Sequence, residues 1–144
     1  MASPSDGLRG CHVGVRVWGM VEDRLVELRV GPADGCGPKV VGLPEERVRT
    51  TVDRVRAGLV NAGILQEAPD VVVHVDPPLR GAPTWELDLP IAVAWLAARG
   101  RVDPGVRWVF ATGRLGLDGR VWSEDLEDPV PGVTWITALG SGIV

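Results

Sequence analysis

VVGLPEERVRTTVDRVRAGLVNAGI, residues 40–64, decides the architecture of this chain. Two valines and a glycine lead through Leu43 and Pro44 into a run where Val48, Val52, Val55 and Leu59 recur at spacings of four, three and four. That spacing lines up the four side chains on one stripe of a 3.6-residue helix, so the stretch predicts an amphipathic helix with this stripe on the core. Pro44 suits the first turn, where its missing N–H costs nothing, and Glu45 and Glu46 follow at the positive end of the helix dipole. Gly63 is expected to take the left-handed conformation that stops the helix.

Working outward, Val13, Val15 and Val17 alternate with Gly14, Arg16 and Trp18, and Val26, Leu28 and Val30 alternate with Glu27 and Arg29. A period of two on both sides of Glu22-Asp23 predicts a β-hairpin. GPADGCGPK, residues 31–39, is a Gly/Pro-rich loop that leads into a short strand at Lys39 to Val41. After the first helix, Val71, Val72, Val73 and Val75 form a β-branched run of the kind covered on both faces, with His74 expected as a hydrogen-bonded core residue. Ile91, Val93, Ala94, Trp95 and Leu96 make the second helix apolar almost all round and therefore buried. Thr84 or Asp88 could cap it, Pro90 fitting better if Asp88 does, and Gly100 ends it. Trp108 to Ala111 reads as another buried strand, and Asp118-Gly119 is a two-residue hairpin signal before Val121. Strand, strand, strand, helix, strand, helix, strand, strand is a mixed α/β order with helices crossing between strands.

The 144 residues fit a single domain. No apolar run approaches the roughly 20 residues of a membrane span, and the N-terminus has no apolar signal region, so a cytoplasmic protein without membrane contact is expected. Net charge is −4, and fourteen arginines are scattered along the chain with one lysine, Lys39. Nucleic-acid affinity rests largely on clustered cations that neutralise phosphates, and such a patch is missing here. Arg47, Arg49, Arg54 and Arg56 are interleaved with Glu45, Glu46 and Asp53, the pattern of a solvated helix face laced with i,i+3 and i,i+4 pairs. Cys11 and Cys36, with His12 and His74, match no zinc spacing, and no metal or cofactor is expected.

Three segments, residues 40–64, 71–100 and 108–119, carry in order a Val-Gly-Leu-Pro helix start, an Asp-Leu-Pro-Ile-Ala helix start and a Leu-Asp-Gly hairpin. Together they resemble the N-terminal domain of the magnesium-chelatase-like AAA+ ATPases of the ComM/YifB type. The resemblance implies an α+β, Lon-protease-domain-like two-layer fold with a mixed sheet and two main helices. It divides the chain into a flexible tail (1–10), the family domain (11–123) and a divergent acidic, Pro-rich loop and tail (124–144), with the sequence stopping before any motor domain. The family continues from the hairpin into a closing helix. Here VWSEDLEDPVPGVTWITALGSGIV, residues 121–144, brings Glu124, Asp125, Glu127 and Asp128 and then Pro129 and Pro131, and ends in something closer to a strand and tail. The closing helix is expected to be missing or replaced. A partner, a second copy or the tail itself would then cover the open sheet.

Catalytic chemistry is not expected. A phosphate loop needs Gly-Lys-Ser/Thr in sequence, so that amides, ammonium and hydroxyl converge on phosphate and magnesium. In residues 31–39 Pro38 separates Gly37 from Lys39, and Val40 stands in the hydroxyl position. The fold implied by the resemblance also hosts Ser–Lys peptidases, but Thr84 is the only hydroxyl at the second helix start and no lysine follows Lys39. Glu86, Asp88 and Asp76 surround a strand-to-helix loop, where the helix dipole already accounts for acids and Arg80 is a plausible partner for one of them.

Six tryptophans and no tyrosine remain. Trp95 and Trp108 lie in apolar runs and are expected in the core. Trp18, Trp85, Trp122 and Trp135 have polar or glycine-rich neighbours and are candidate protein-interaction residues, tryptophan being enriched at interface hot spots. The expectation is a non-catalytic protein-binding or assembly module whose partner is an AAA+ protein or another copy of the chain. An accessory DNA-binding module in recombination or DNA uptake, disfavoured by the charge, and a remnant without present function are the alternatives.

Overall fold

Glu22 and Asp23 both have positive φ (49° and 65°), the geometry of the mirror-image type I turn, whose twist suits a two-residue hairpin. They join β1 (Arg16–Val21) to β2 (Arg24–Pro32), with Val21 opposite Arg24. The computed structural model describes residues 16–35, 37–81, 85–101, 108–122 and 134–137, at 122 and 134–137 for the backbone alone. Val13, Val15, Cys11, His12, Cys36, Thr84 and the acids from Glu124 to Asp128 lie outside the described residues.

β3 (Lys39–Val41), α1 (Glu45–Asn61) and β4 (Val71–Asp76) follow as a β-helix-β unit, since β3 and β4 are parallel neighbours. A single 3-10 turn (Trp85–Leu87) opens α2 (Asp88–Ala98), and then come β5 (Trp108–Thr112), β6 (Arg114–Leu115), β7 (Val121–Trp122) and β8 (Thr134–Thr137). The main sheet runs β3-β4-β2-β1-β5-β8, with β2 the single antiparallel strand, and β6-β7 form a separate ribbon. This is a mixed α+β fold in two layers, as expected.

Both helices stop where the sequence marks them. The Gly63 N–H donates to Val60 O (3.0 Å) and the Ile64 N–H to Leu59 O (3.0 Å), the paired bonds of a Schellman cap, with Gly63 at φ 72°. Gly100 and Arg101 repeat the pattern on Ala97 and Leu96 (3.0 and 2.8 Å). At the other end of α1, Pro44 is the capping residue rather than the first helical one, and its carbonyl accepts from the Arg47 N–H. Val52, Val55 and Leu59 are buried and Val48 packs partly against the same cluster, so the helix face lies as its spacing predicts. All eleven residues of α2 are buried.

Other expectations need correction. His74 is exposed rather than buried, and Val72 is only half-buried. Both helices lie on one side of the sheet, so β4 buries Val71, Val73 and Val75 and turns Val72, His74 and Asp76 the other way. For the same reason Trp108 is half-buried and outside the main core, while Val109 and Ala111 are in it. The Asp118-Gly119 signal does mark a hairpin, but its loop is longer than two residues. Gly116 and Arg120 are bonded (2.8 Å), Gly119 N–H donates to Gly116 O (3.0 Å), and Gly119 (φ 86°) closes a three-residue loop. This loop lies on the end of α1: a Cβ at Gly119 would sit 2.2 Å from Ala62 Cβ, and Asn61 Nδ2 donates to Leu117 O at 2.7 Å. The first and third family segments, residues 40–64 and 108–119, therefore touch at the end of α1. No helix follows β7 among the described residues; β8 instead runs parallel to β5, and the chain itself covers that edge.

Candidate functional site

The sheet face turned away from the helices carries the most distinctive surface. On β1 and β5, alternation sends Arg16, Trp18 and Met20, and Trp108, Phe110 and Thr112, to that side. Parallel pairing sets Trp18 opposite Phe110 and Arg16 opposite Trp108. The Trp18 and Trp108 rings stack with centroids 6.0 Å apart and planes 11° apart, and the Arg16 guanidinium sits 4.7 Å from the centre of the Trp108 ring. Offset ring stacking and a cation over an indole are both favourable. Both indoles remain half-buried, while Phe110 is nearly covered. On the next strand Glu27 lies opposite Trp18 and Asp76 opposite Glu27. Glu27 is 5% exposed and pairs with Arg29, which stands beside this acidic pair; the bond to Glu27 holds the Arg29 guanidinium above its ordinary pKa.

Trp85 forms a second aromatic point. It is 39% exposed, and the Arg114 guanidinium lies 4.7 Å from its ring centre. Trp122 lies in β7, with its Cα opposite Arg114, and Trp135 in β8, opposite Phe110; their side chains are outside the described residues. Of the four candidate tryptophans, Trp18 belongs to the helix-free face, and Trp85 lies in the turn before α2. Sequence reading missed Trp108 and Arg16 as partners of Trp18. The parity of Trp108 with Phe110 against the core residues Val109 and Ala111 was the available signal.

Beneath this surface, Arg54 leaves the solvated pattern expected for α1. Its Nε and Nη2 donate to Asp88 Oδ2 and Oδ1 at 2.7 and 3.1 Å, a bidentate pair linking the two helices. Asp88 therefore serves Arg54 instead of capping α2, and Arg80 has no acidic partner among the described residues. Burial pushes the Asp88 carboxyl above its ordinary range, while the hydrogen bonds from Arg54 pull the other way. Arg56 keeps the expected surface role, paired with Asp53 three residues away at 3.6 Å.

The glycine-rich loop also has an internal partner. The Gly35 and Gly37 N–H groups donate to Asp70 Oδ2 and Oδ1 at 2.6 and 2.7 Å, so a carboxylate of the chain occupies these amides. Among the described residues no group of three His, Cys, Asp or Glu is arranged to hold a metal, and no helix is long and apolar enough to cross a membrane.

This two-layer α+β fold has a family. The profile described as "Subunit ChlI of Mg-chelatase" matches residues 26–129, and the chain belongs to that family. Among known proteins it is similar to competence protein ComM of Haemophilus influenzae, 37% identical over 84 residues, covering 58% of this chain and 16% of that protein. It is also similar to the uncharacterized protein YifB of Salmonella typhimurium, 40% identical over 84 residues, covering 58% of this chain and 17% of that protein. YifB of Escherichia coli is 39% identical over 62 residues, covering 43% of this chain and 12% of that protein. The matched part is thus about one sixth of the first two relatives.

Proposed function

We propose that this chain is a non-catalytic docking domain that binds a protein partner through the helix-free face of its sheet. The observation that carries the reading is the half-exposed Trp18–Trp108 stack with Arg16 over it, opposite the layer that supplies the core. Aromatic residues and arginine are the side chains most enriched where interfaces concentrate their energy. The partner is an AAA+ ATPase of the ComM/YifB type, as expected for a relative of their front domain. A competence role is the corresponding cellular setting.

The test measures binding of purified ComM or YifB to this chain by calorimetry, with Trp18→Ala and Trp108→Ala as variants. Each should weaken binding by about tenfold or more, the scale of a hot-spot truncation, while unfolding midpoints move less. Light scattering covers the other occupant: a concentration-dependent dimer sensitive to the same variants would replace the ATPase with a second copy. Binding unaffected by both variants, or seen only with single-stranded DNA and lost steeply with salt, would defeat the reading.

In the same reading the described residues perform no nucleotide hydrolysis. Purified chain should release no phosphate from ATP, and turnover abolished by Lys39→Ala would overturn this.

A further inference from the structure

Most arginines among the described residues have partners. Among the described residues, Arg24, Arg49 and Arg80 alone lack a carboxylate, a hydrogen-bond acceptor or an aromatic ring. Two of these three, Arg24 and Arg80, line one cleft of about 340 Å³ between the β1–β2 turn and the segment after β4. Acids outnumber bases in the chain, so leaving two guanidinium groups unpaired in one hollow calls for an explanation. The walls are fixed. Leu79 N–H donates to Gly42 O at 2.7 Å, and Glu22 N–H donates to Glu86 Oε2 at 3.2 Å, tying both loops to the fold. Pro78, which is exposed, adds apolar surface beside the charges, and Val21 and Leu79 line the cleft as nearly covered residues.

Glu22 also lines the cleft. Among the lining residues, two guanidinium charges against one carboxylate leave a single positive charge, matched to a monoanion and poorly matched to a phosphate dianion. Arginine forks hold carboxylates bidentately, and the volume is at the small end of the roughly 300–1,000 Å³ range of ligand sites. We infer that this cleft binds a monoanionic carboxylate carried on a small apolar group, with Arg24 and Arg80 on the carboxylate and Pro78 against the apolar part. The inference goes beyond the docking face and does not depend on it.

The experiment titrates the isotope-labelled chain with N-acetyl-leucine and follows the side-chain Nε–H signals of Arg24 and Arg80 by NMR. N-acetyl-leucinamide and inorganic phosphate are the comparators. The expected result is saturable shifts at both arginines with the carboxylate and none with the amide. Arg24→Gln and Arg80→Gln should each weaken binding by about tenfold, as for loss of a charge-assisted bond, and Arg49→Gln should leave it unchanged. Both cleft arginines are exposed, and unchanged backbone spectra will show that the variants fold. A Gly-Gly-Leu peptide binding more tightly than N-acetyl-leucine identifies a polypeptide C-terminus as the source of the carboxylate, and equal binding identifies a small organic acid. Absence of saturation, tighter binding of phosphate, or an equal loss in Arg49→Gln would overturn the inference.

Discussion

Replacing Arg54 with alanine will destabilise the fold by about 2–3 kcal/mol at neutral pH, somewhat under the cost of breaking a fully buried ion pair because Arg54 stays about a third exposed. The cost comes less from the lost attraction than from what remains: an Asp88 carboxylate with 5% of its side chain exposed and no counter-charge. The pH dependence follows. Burial already raises the folded-state pKa of Asp88, and removing Arg54 removes the main influence holding it down. A carboxyl whose pKa is higher folded than unfolded favours folding below its unfolded value, about 3.9, and that contribution is lost as pH rises through the folded value. The difference between Arg54→Ala and the parent chain should therefore be largest at neutral pH and shrink on acidification toward pH ~4. Adding Asp88→Asn, which carries no charge at any pH, should recover part of the loss and flatten the dependence. Urea denaturation of the three chains at several pH values measures this, and a pH-independent difference would contradict it.

Leu59→Ala should cost about 2–5 kcal/mol, the range for removing a fully buried leucine. Leu59 is 1% exposed and sits where α1 turns into its cap, its carbonyl accepting from Ile64 N–H and Leu65 N–H at 3.0 and 3.3 Å. A cavity there loosens both the helix face and its termination. A loss below about half a kilocalorie in chemical denaturation, the scale of a surface change, would mean that the face is misassigned.

Features governed by the nearest few residues were legible in the sequence. The α1 stripe, the Glu22-Asp23 turn and the glycine stops at Gly63 and Gly100 depend on local spacing and backbone freedom, and the structure has each of them. What escaped depends on which layer covers which face. A valine run can mean two covered faces, and only the placement of both helices on one side shows that His74 faces out. Arg54 and Asp88 are 34 positions apart, and each had a sufficient local explanation, a solvated helix face for one and a helix dipole for the other. The partial exposure of Trp18 and Trp85 was legible from their neighbours. The pairing of Trp18 with Trp108 and Arg16 needed the register of β1 against β5.

The Asp70 clamp bears on how the glycine-rich loop meets dissolved anions. Asp70 immediately precedes β4, whose Val71 is registered against Pro32 at the end of β2, so the ladder holds its carboxylate beside the Gly35 and Gly37 amides. A group tethered in this way acts at an effective concentration set by its linkage, on the order of millimolar even for short flexible links. Any free anion seeking these amides must out-compete a ligand that never diffuses away and is renewed with each copy of the chain. The loop is in this sense saturated from the moment the sheet forms.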